Sequence, residues 1–348
     1  MRLGITLEGI RNPPRWRRPY AEHYAAALEL AEEADRLGID AVAVSEHHLW
    51  DDGYLPRPLI FLSAIAARTR RIRLGTAIAI LPLYDTASLA EEAAIVDCLS
   101  GGRLELGFGA GYRKPEYDAY GRDFRHRFES YEAQITSLRK LWSEGEVTPQ
   151  PIQDPIPLWA GLRGAKSTYL AGCLGMGRFY LPDDYWDNYL AGLRDGGHDI
   201  ESARAGGTVQ AILADDPEQA FAALAPRIVE HWSAYERYGV AGTNLPLQPP
   251  LTAEEYRAIG AFPSREKVSD RTVAFGGGVA RARGFAIWTP AEAAAAIRGA
   301  AGDRNVDIVY FQAAVTGQID ELSYRSVELI ANELRPLLAR ESTSASAG

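Results

Sequence analysis

The sequence predicts an α/β fold, a (β/α)₈ TIM barrel with an insertion before the last strand. Short aliphatic or β-branched runs alternate with longer amphipathic stretches, which is the pattern of βαβ units around a parallel sheet. The chain has 348 residues, somewhat more than the roughly 250 of a typical barrel. We therefore expect a single domain at 1–340 with an insertion at about 236–288, followed by a flexible polar tail at 341–348.

The first half of the chain has the clearest periodicity. A strand is predicted at residues 3–7, and the helix that follows it at 20–37 ends before Gly38, a usual helix stop. Further strands are predicted at 40–45, 72–80 and 102–109, and further helices at 58–69, 87–99 and 127–143. In the last of these helices we expect a core-facing stripe, because its large apolar residues recur at helical spacing: Phe128, Tyr131, Ile135, Leu138 and Trp142.

The second half of the chain supplies the remaining strands. They are predicted at residues 156–161, 177–181, 208–213 and 307–312, each separated from the next by a helical segment. Between the helix after Asp215 and Pro290 lies a stretch rich in glycine and proline. It is too long for an ordinary connection, so we interpret it as an insertion or lid at the active site.

Composition and charge exclude several classes of protein. The net charge is -9, and no stretch of Lys and Arg with interleaved aromatic residues is long enough to form a binding stripe, so nucleic acid is not an expected partner. The arginines at 11–18 surround adjacent prolines and are interpreted as a loop rather than a nucleic-acid-binding arm. No apolar run or secretion signal predicts membrane insertion or export. The two cysteines, Cys98 and Cys173, are expected to be buried and inert in a cytoplasmic protein.

The second predicted strand ends in the tripeptide Glu46-His47-His48. Barrel enzymes carry their chemistry at the carboxyl ends of the strands, and histidine titrates near neutral pH, so this is a candidate acid/base site. A metal site and a purely structural histidine pair are the alternatives. No metal site is predicted, because the other histidines fall on predicted helices or at their edges: His23, His126, His198 and His231.

Two glycine-rich turns follow later strands. Residues 107–112 read Gly-Phe-Gly-Ala-Gly-Tyr, without the spacing of a dinucleotide-binding fingerprint. The glycines allow the backbone to approach a flat ligand, and Tyr112 can stack on it or form a hydrogen bond. Residues 161–167 open a helix and include Arg163 and Ser167, so they form either an anion site or an ordinary turn with a solvated arginine.

Three of these runs together resemble the bacterial luciferase-like flavin monooxygenases in order and spacing. They are residues 44–49 (VSEHHL), 74–82 (LGTAIAILP) and 99–112 (LSGGRLELGFGAGY). The resemblance covers about the first two hundred residues well and residues 307–338 more loosely. It implies a (β/α)₈ barrel, usually a homodimer, that binds FMN or a deazaflavin coenzyme at the carboxyl face and often accepts reduced flavin from a separate reductase.

The resemblance also implies roles for individual residues. His47 matches the catalytic histidine beside the isoalloxazine, and Glu46 matches the carboxylate on the flavin side, which we expect to orient His47. Residues Ala77 and Ile78 fall where the family has a non-prolyl cis peptide against the flavin ring. The remaining implied cofactor-binding residues are Gly109 and Tyr112 near the flavin, and Arg127, Arg163, Gly164 and Ser167 near its phosphate.

The chain departs from the luciferase pattern at two places. Ala110 replaces an arginine after the fourth strand, and Arg163-Gly164 replaces an acidic and hydroxyl pair after the fifth. We therefore expect phosphate binding to depend on Arg163 and on backbone amides. Aldehyde luciferase activity does not follow from the resemblance.

The function expected from these features is oxygenation of a small organic substrate with reduced FMN and dioxygen. No dinucleotide-binding motif is found, so reduced FMN is expected from a separate NAD(P)H-dependent flavin reductase. The alternatives are hydride transfer with a deazaflavin coenzyme and non-catalytic flavin binding. The variable loops that line such sites leave the substrate unidentified.

Overall fold

The strands build a closed parallel barrel. The computed structural model of the protein describes residues 1–182, 184–241, 247–261, 272–275, 278–281 and 284–339. The strands are β1 (Arg2–Thr6), β2 (Ala41–Val44), β3 (Arg73–Thr76), β4 (Ala79–Ile80), β5 (Leu104–Gly109), β6 (Leu158–Ala160), β7 (Gly177–Phe179), β8 (Ala205–Val209), β9 (Ala211–Leu213), β10 (Thr272–Phe275), β11 (Gly278–Arg281), β12 (Ala286–Trp288) and β13 (Val306–Gln312).

Pairing of the strands confirms the predicted barrel. The main sheet has the order β3-β2-β1-β13-β8-β7-β6-β5-β4, and β3 also pairs with β5, which closes it. β3 and β4 are two parts of one barrel strand, so the nine strands of this sheet make an eight-stranded barrel. All pairings within the barrel are parallel. The carboxyl ends of the strands therefore meet at one mouth.

Helices surround the barrel and connect successive strands. They are α1 (Tyr20–Arg36), α2 (Pro58–Arg68), α3 (Thr86–Ser100), α4 (Lys114–Ala119), α5 (Arg127–Ser143), α6 (Ala165–Cys173), α7 (Trp186–Asp195), α8 (Pro217–Val240), α9 (Ala253–Ile259), α10 (Pro290–Ala301), α11 (Glu321–Leu329) and α12 (Arg335–Ala339). Local sequence sets several of their ends. Thr252 and Thr289 open α9 and α10 with capping boxes, and Gly101 ends α3 in the left-handed conformation.

The core has an outer and an inner layer. The outer layer lies between the strands and the helices, and all residues of β2 and β5 are buried because helices cover one face and side chains fill the other. Inside the barrel, Trp159 and Tyr310 pack with small residues of β2. Glu105 lies beside them and pairs with Arg2 and Arg73. These packed side chains fill the barrel interior.

Four elements differ from the sequence-based expectation. The predicted strand 72–80 is interrupted between β3 and β4, and the predicted strand 208–213 is divided into β8 and β9 around Gln210. β9 pairs with β12, a strand that was not predicted, and α4 was not predicted either. The predicted insertion contains α9, the β10–β11 hairpin and β12, and the predicted tail lies outside the described residues.

The cysteine prediction was wrong. Cys98 is exposed on the outward side of α3, and Cys173 at the end of α6 is partly exposed.

The arginine-rich segment 11–18 lies largely in loops and short 3₁₀ turns, as expected, and Arg11 is buried against Asp52 at 2.6 Å. Within the described part of the chain, none of the helices has the length and apolar character required to cross a membrane.

Candidate functional site

A cavity of about 410 Å³ opens at the carboxyl ends of the barrel strands. It is lined by residues that follow the strands, among them Glu46, Ile78, Tyr112, Arg163 and Gln312. Tyr235 of α8 and Ala261 after α9 extend its wall. The cavity therefore lies where barrel enzymes bind their ligands.

His47 lies at this cavity in a defined hydrogen-bonding geometry. Its Nδ1 atom lies 3.0 Å from Oε1 of Glu116, and its Nε2 atom lies 3.2 Å from the Tyr112 hydroxyl. The His47 ring stacks on Trp50 with centroids 4.8 Å apart. A carboxylate at Nδ1 fixes the proton on that nitrogen, so in the neutral imidazole Nε2 is the acceptor.

Glu116 connects His47 to a buried arginine. Its Oε1 atom also accepts hydrogen bonds from Arg113 Nη1 at 2.9 Å and from the His48 backbone amide at 2.9 Å. Burial opposes ionisation of Glu116, but His47, Arg113 and the His48 amide outweigh burial and lower its pKa below the usual value. Glu116 is therefore an anion that accepts hydrogen bonds from three groups and holds them in place: His47, Arg113 and the His48 amide.

The last turn of α8 packs on the same network. Arg113 Nε donates to the backbone oxygen of Tyr238 at 3.0 Å, and the Tyr238 ring stacks on Trp50 with centroids 4.4 Å apart. Trp50 in turn stacks on His47. The start of the insertion is thus in direct contact with the groups that surround His47.

The expected role of Glu46 in orienting His47 was wrong. Glu46 Oε1 lies 2.7 Å from His48 Nε2, while its Oε2 accepts from the Ile80 amide at 2.8 Å and the Tyr84 hydroxyl at 3.0 Å. The side chains of Glu46 and His48 therefore lie on the same side of the chain, and Glu46 contacts the second histidine rather than the first. It still lines the cavity, as the resemblance implied.

The Ala77–Ile78 peptide bond is cis, as the resemblance implied, and both residues line the cavity. The chain here is held to β2, because the Ala77 amide donates to Val44 O at 2.8 Å and the Glu46 amide donates to Ile78 O at 3.2 Å. A Cβ atom at Gly109 would lie 1.9 Å from the Ile78 side chain. Gly109 therefore makes room for Ile78 and is not part of the cavity wall.

Two arginines line the cavity. Arg163 lines it and lies over the Tyr180 ring, 4.9 Å from the ring centroid. Arg127 also lines it and donates to Phe124 O at 2.9 Å, while its buried Nε atom has no hydrogen-bond partner among the described residues. Neither Gly164, which precedes α6 with φ 88°, nor Ser167 in its first turn lines the cavity.

One aromatic residue of α5 was wrongly predicted to lie in the core. Phe128 was predicted in the core with the rest of its stripe, but it is 36% exposed and lines the cavity. It lies in the first turn of α5, where the helix has only begun to cover the barrel. The other four residues of the stripe, Tyr131, Ile135, Leu138 and Trp142, are buried as predicted.

Several cavity residues were not predicted. Tyr54 and Tyr235 share a hydrogen bond of 2.8 Å, and Tyr235 donates to Glu8 at 2.9 Å. Burial raises the pKa of both phenols well above the usual value, so both stay neutral. Glu116 was also missed, although Lys114-Pro115-Glu116 has the proline and acidic residue of a helix start.

Metal ligation finds no support in the described residues. They contain no group of three or more His, Cys, Asp and Glu side chains arranged to hold a metal ion. His23 and His231 lie in α1 and α8, and His126 precedes α5. His48 is engaged by Glu46 and by the Tyr120 hydroxyl at 3.0 Å.

Comparison with known sequences identifies the family. A family model described as "Luciferase-like monooxygenase" matches residues 4–298. The chain belongs to this family. Members of the luciferase-like family are oxidoreductases and monooxygenases, including FMN-dependent and deazaflavin-dependent enzymes.

Two curated relatives represent the two coenzyme types. The chain is 31% identical over 169 residues to the oxygenase component of flavin-dependent trigonelline monooxygenase from Acinetobacter baylyi, which covers 43% of the chain and 47% of that protein. It is 30% identical over 272 residues to F420-dependent glucose-6-phosphate dehydrogenase from Amycolatopsis mediterranei, covering 70% of the chain and 76% of that protein. The chain spans 27% to 60% of the length of four curated relatives, the oxygenase component among them.

Solved structures share the luciferase-like barrel. The monooxygenase RslO1 from Streptomyces bottropensis superposes with a TM-score of 0.74 at 25% identity, covering 97% of this chain and 100% of that one. The oxygenating constituent of 3,6-diketocamphane monooxygenase from Pseudomonas putida, solved in complex with FMN, gives a TM-score of 0.67 at 19% identity. That match covers 97% of this chain and 98% of that one, and it shows the fold alone.

Proposed function

We propose that this luciferase-like protein is the oxygenase of a two-component system that transfers oxygen to a small organic substrate. Reduced FMN and dioxygen are its co-substrates, and a separate NAD(P)H-dependent flavin reductase supplies the reduced FMN. The observation that carries the proposal is the His47–Glu116 pair, which turns Nε2 of His47 toward a cavity that two arginines line. A homodimer is part of the proposal on the family resemblance, and a cytoplasmic location is part of it on the low cysteine content.

The residues at the cavity fit FMN. Arg127 and Arg163 provide positive charge for a phosphate, and the unpartnered Nε of Arg127 is a donor that a phosphate oxygen satisfies. Gly164 and Ser167 do not line the cavity, but they lie at the start of α6 next to Arg163, where backbone amides favour an anion. Four residues that line the cavity would hold the flavin ring: Glu46, Ala77, Ile78 and Tyr112.

The protein contributes proton control and exclusion of water. Reduced FMN, when bound, supplies the two electrons that allow dioxygen to give one oxygen atom to the substrate and the other to water. His47 Nε2 accepts or returns a proton at the reacting atoms, and Glu116 stabilises the imidazolium that results. The Tyr112 hydroxyl lies 3.2 Å from Nε2 and connects His47 to the cavity through this hydrogen bond. Tyr54, Phe128 and Tyr235 limit the access of water.

Hydride transfer with a deazaflavin coenzyme is the second candidate, because the F420-dependent relative matches across 70% of this chain. It uses the same barrel mouth and requires no dioxygen. Non-catalytic flavin binding is the third candidate. A buried histidine–carboxylate pair argues against it, because storage of a flavin requires no positioned base.

The phosphate assignment gives a binding prediction. Arg163→Ala is expected to weaken FMN binding by about 2 kcal/mol, a few tens-fold, because a charge-assisted hydrogen bond is lost. Fluorescence titration with FMN and with riboflavin, which lacks the phosphate, measures the effect. Arg125→Ala, an exposed arginine outside the cavity wall, is the matched control. Equal weakening of both ligands would show that Arg163 does not bind the phosphate.

Dependence on a reductase tests the two-component proposal. The protein mixed with oxidised FMN, NADH and NADPH is expected to leave the nicotinamide absorbance unchanged, and oxygen uptake is expected to begin when a flavin reductase is added. Glucose oxidase with glucose, which removes oxygen, is the control for the electrode signal. Steady nicotinamide oxidation by this chain alone would contradict the proposal.

A further inference from the structure

Two glutamines form a linked polar patch in the cavity wall. Gln312 is the last residue of β13, and Gln210 lies between β8 and β9. Gln312 Nε2 donates to Gln210 Oε1 at 3.1 Å. Gln312 is only 1% exposed, yet its Oε1 atom has no hydrogen-bond partner among the described residues. A buried amide oxygen is ordinarily paired, so this atom marks a site for a ligand donor.

The topology sets this patch on the side of the barrel away from the Ala77–Ile78 wall. In the closed order β3-β2-β1-β13-β8, β8 stands four strands from β3, which is half of the circumference. Gln210, which follows β8, therefore lies across the cavity from Ala77 and Ile78, and Gln312 lies beside it at the end of β13, three strands from β3. If Ala77 and Ile78 held the flavin ring, Gln210 and Gln312 would remain available to a second molecule.

We propose that Gln210 and Gln312 are the substrate-recognition residues, and that the substrate carries a planar lactam or carboxamide group. This inference rests on the proposed function. A lactam presents an N–H and a C=O side by side, which pair with the oxygen of one glutamine amide and the nitrogen of the other. Rotation of both glutamine amides by 180° exchanges the donor and the acceptor but keeps the hydrogen bond between the two side chains. Both arrangements therefore present one oxygen and one nitrogen to the lactam.

Other groups in the wall favour a neutral, flat substrate. Phe179, the last residue of the neighbouring strand β7, presents aromatic surface for stacking. Glu8 after β1 also lines the cavity and disfavours a carboxylate near the glutamines. A hydrocarbon would leave the buried Gln312 oxygen without a partner, which is costly for binding.

A matched pair of small probes tests this inference. 2-Pyridone is a planar lactam, and N-methyl-2-pyridone has the same ring and carbonyl without the N–H. Calorimetric titration of the FMN-loaded protein is expected to give roughly tenfold tighter binding of 2-pyridone, because its N–H pairs with an otherwise unpaired amide oxygen. In Gln312→Met this preference is expected to disappear, whereas Gln219→Leu, an exposed glutamine in α8, is expected to retain it.

Each result of these titrations tests either substrate recognition by the glutamines or the proposed function. Equal binding of the two probes by the wild-type protein would overturn the inference without recourse to any variant. Displacement of FMN by 2-pyridone would also overturn it, since the glutamines would then contact the flavin. Fluorescence titration with FMN alone reports separately on the proposed function, so failure of flavin binding is distinguishable from failure of substrate recognition. Retention of FMN binding by Gln312→Met establishes that the variant is folded.

Discussion

His47→Ala is expected to lower substrate oxygenation by about 10²–10⁴-fold while FMN affinity changes by no more than a few-fold. The reason is the geometry at the imidazole. Nδ1 faces Glu116 and Nε2 faces Tyr112 at the cavity, so the ring is set for proton transfer rather than for anchoring the phosphate. Removal of the ring takes away the proton carrier and leaves Arg127 and Arg163 in place.

Oxygen incorporation measures this effect even while the substrate is unidentified. A small-molecule extract is incubated with protein, reductase and ¹⁸O₂, and labelled products are counted by mass spectrometry. His126→Ala, an exposed histidine paired only with Asp123 in the described structure, is the matched control and is expected to retain wild-type labelling. Undiminished labelling by His47→Ala would contradict the catalytic assignment.

Glu116→Gln is expected to destabilise the fold by about 3–5 kcal/mol, because loss of one partner leaves a buried charge uncompensated. The charge is that of Arg113, whose side chain is 2% exposed. Denaturant unfolding at neutral pH measures the change in the free energy of unfolding. Glu129→Gln, an exposed glutamate of α5, is the control and is expected to change it by less than about 0.5 kcal/mol.

The stability difference between the wild type and Glu116→Gln is expected to depend on pH. The pKa of Glu116 is lowered in the folded protein from an ordinary value of 4.5. Its carboxylate therefore contributes stability that is fully present above this value and is lost as the pH falls through the folded pKa. The stability gap between the wild type and Glu116→Gln is expected to be constant above pH 4.5 and to narrow below it. A gap that widens with acidification would contradict the ion-pair account.

Periodicity made the barrel predictable, because the strands are buried apolar runs separated by amphipathic helices. The elements that were missed are short: β12 has three residues and α4 has six. β12 forms its sheet with β9, which lies far away in the sequence, so no local pattern signals the pairing. Helical spacing likewise identified the buried stripe of α5 but not the end of that stripe at Phe128.

The candidate site was predicted in part for a similar reason. Residues at strand ends, such as His47 and Arg163, are recognisable because the fold brings all strand ends to one mouth. The partner of His47 could not be recognised from the sequence, because Glu116 lies 69 residues further along the chain. The Gln210–Gln312 contact spans 102 residues and was missed for the same reason. Gly109 was predicted to let the backbone approach a flat ligand closely, but the group next to it is the Ile78 side chain.

Anaerobic titration of the protein with reduced FMN and with a reduced deazaflavin coenzyme tests the central claim most directly. The account predicts that reduced FMN binds more tightly than both oxidised FMN and the deazaflavin coenzyme, and that Arg163→Ala removes most of this affinity. Tighter binding of the deazaflavin coenzyme, or binding of neither coenzyme, would contradict an FMN-dependent monooxygenase.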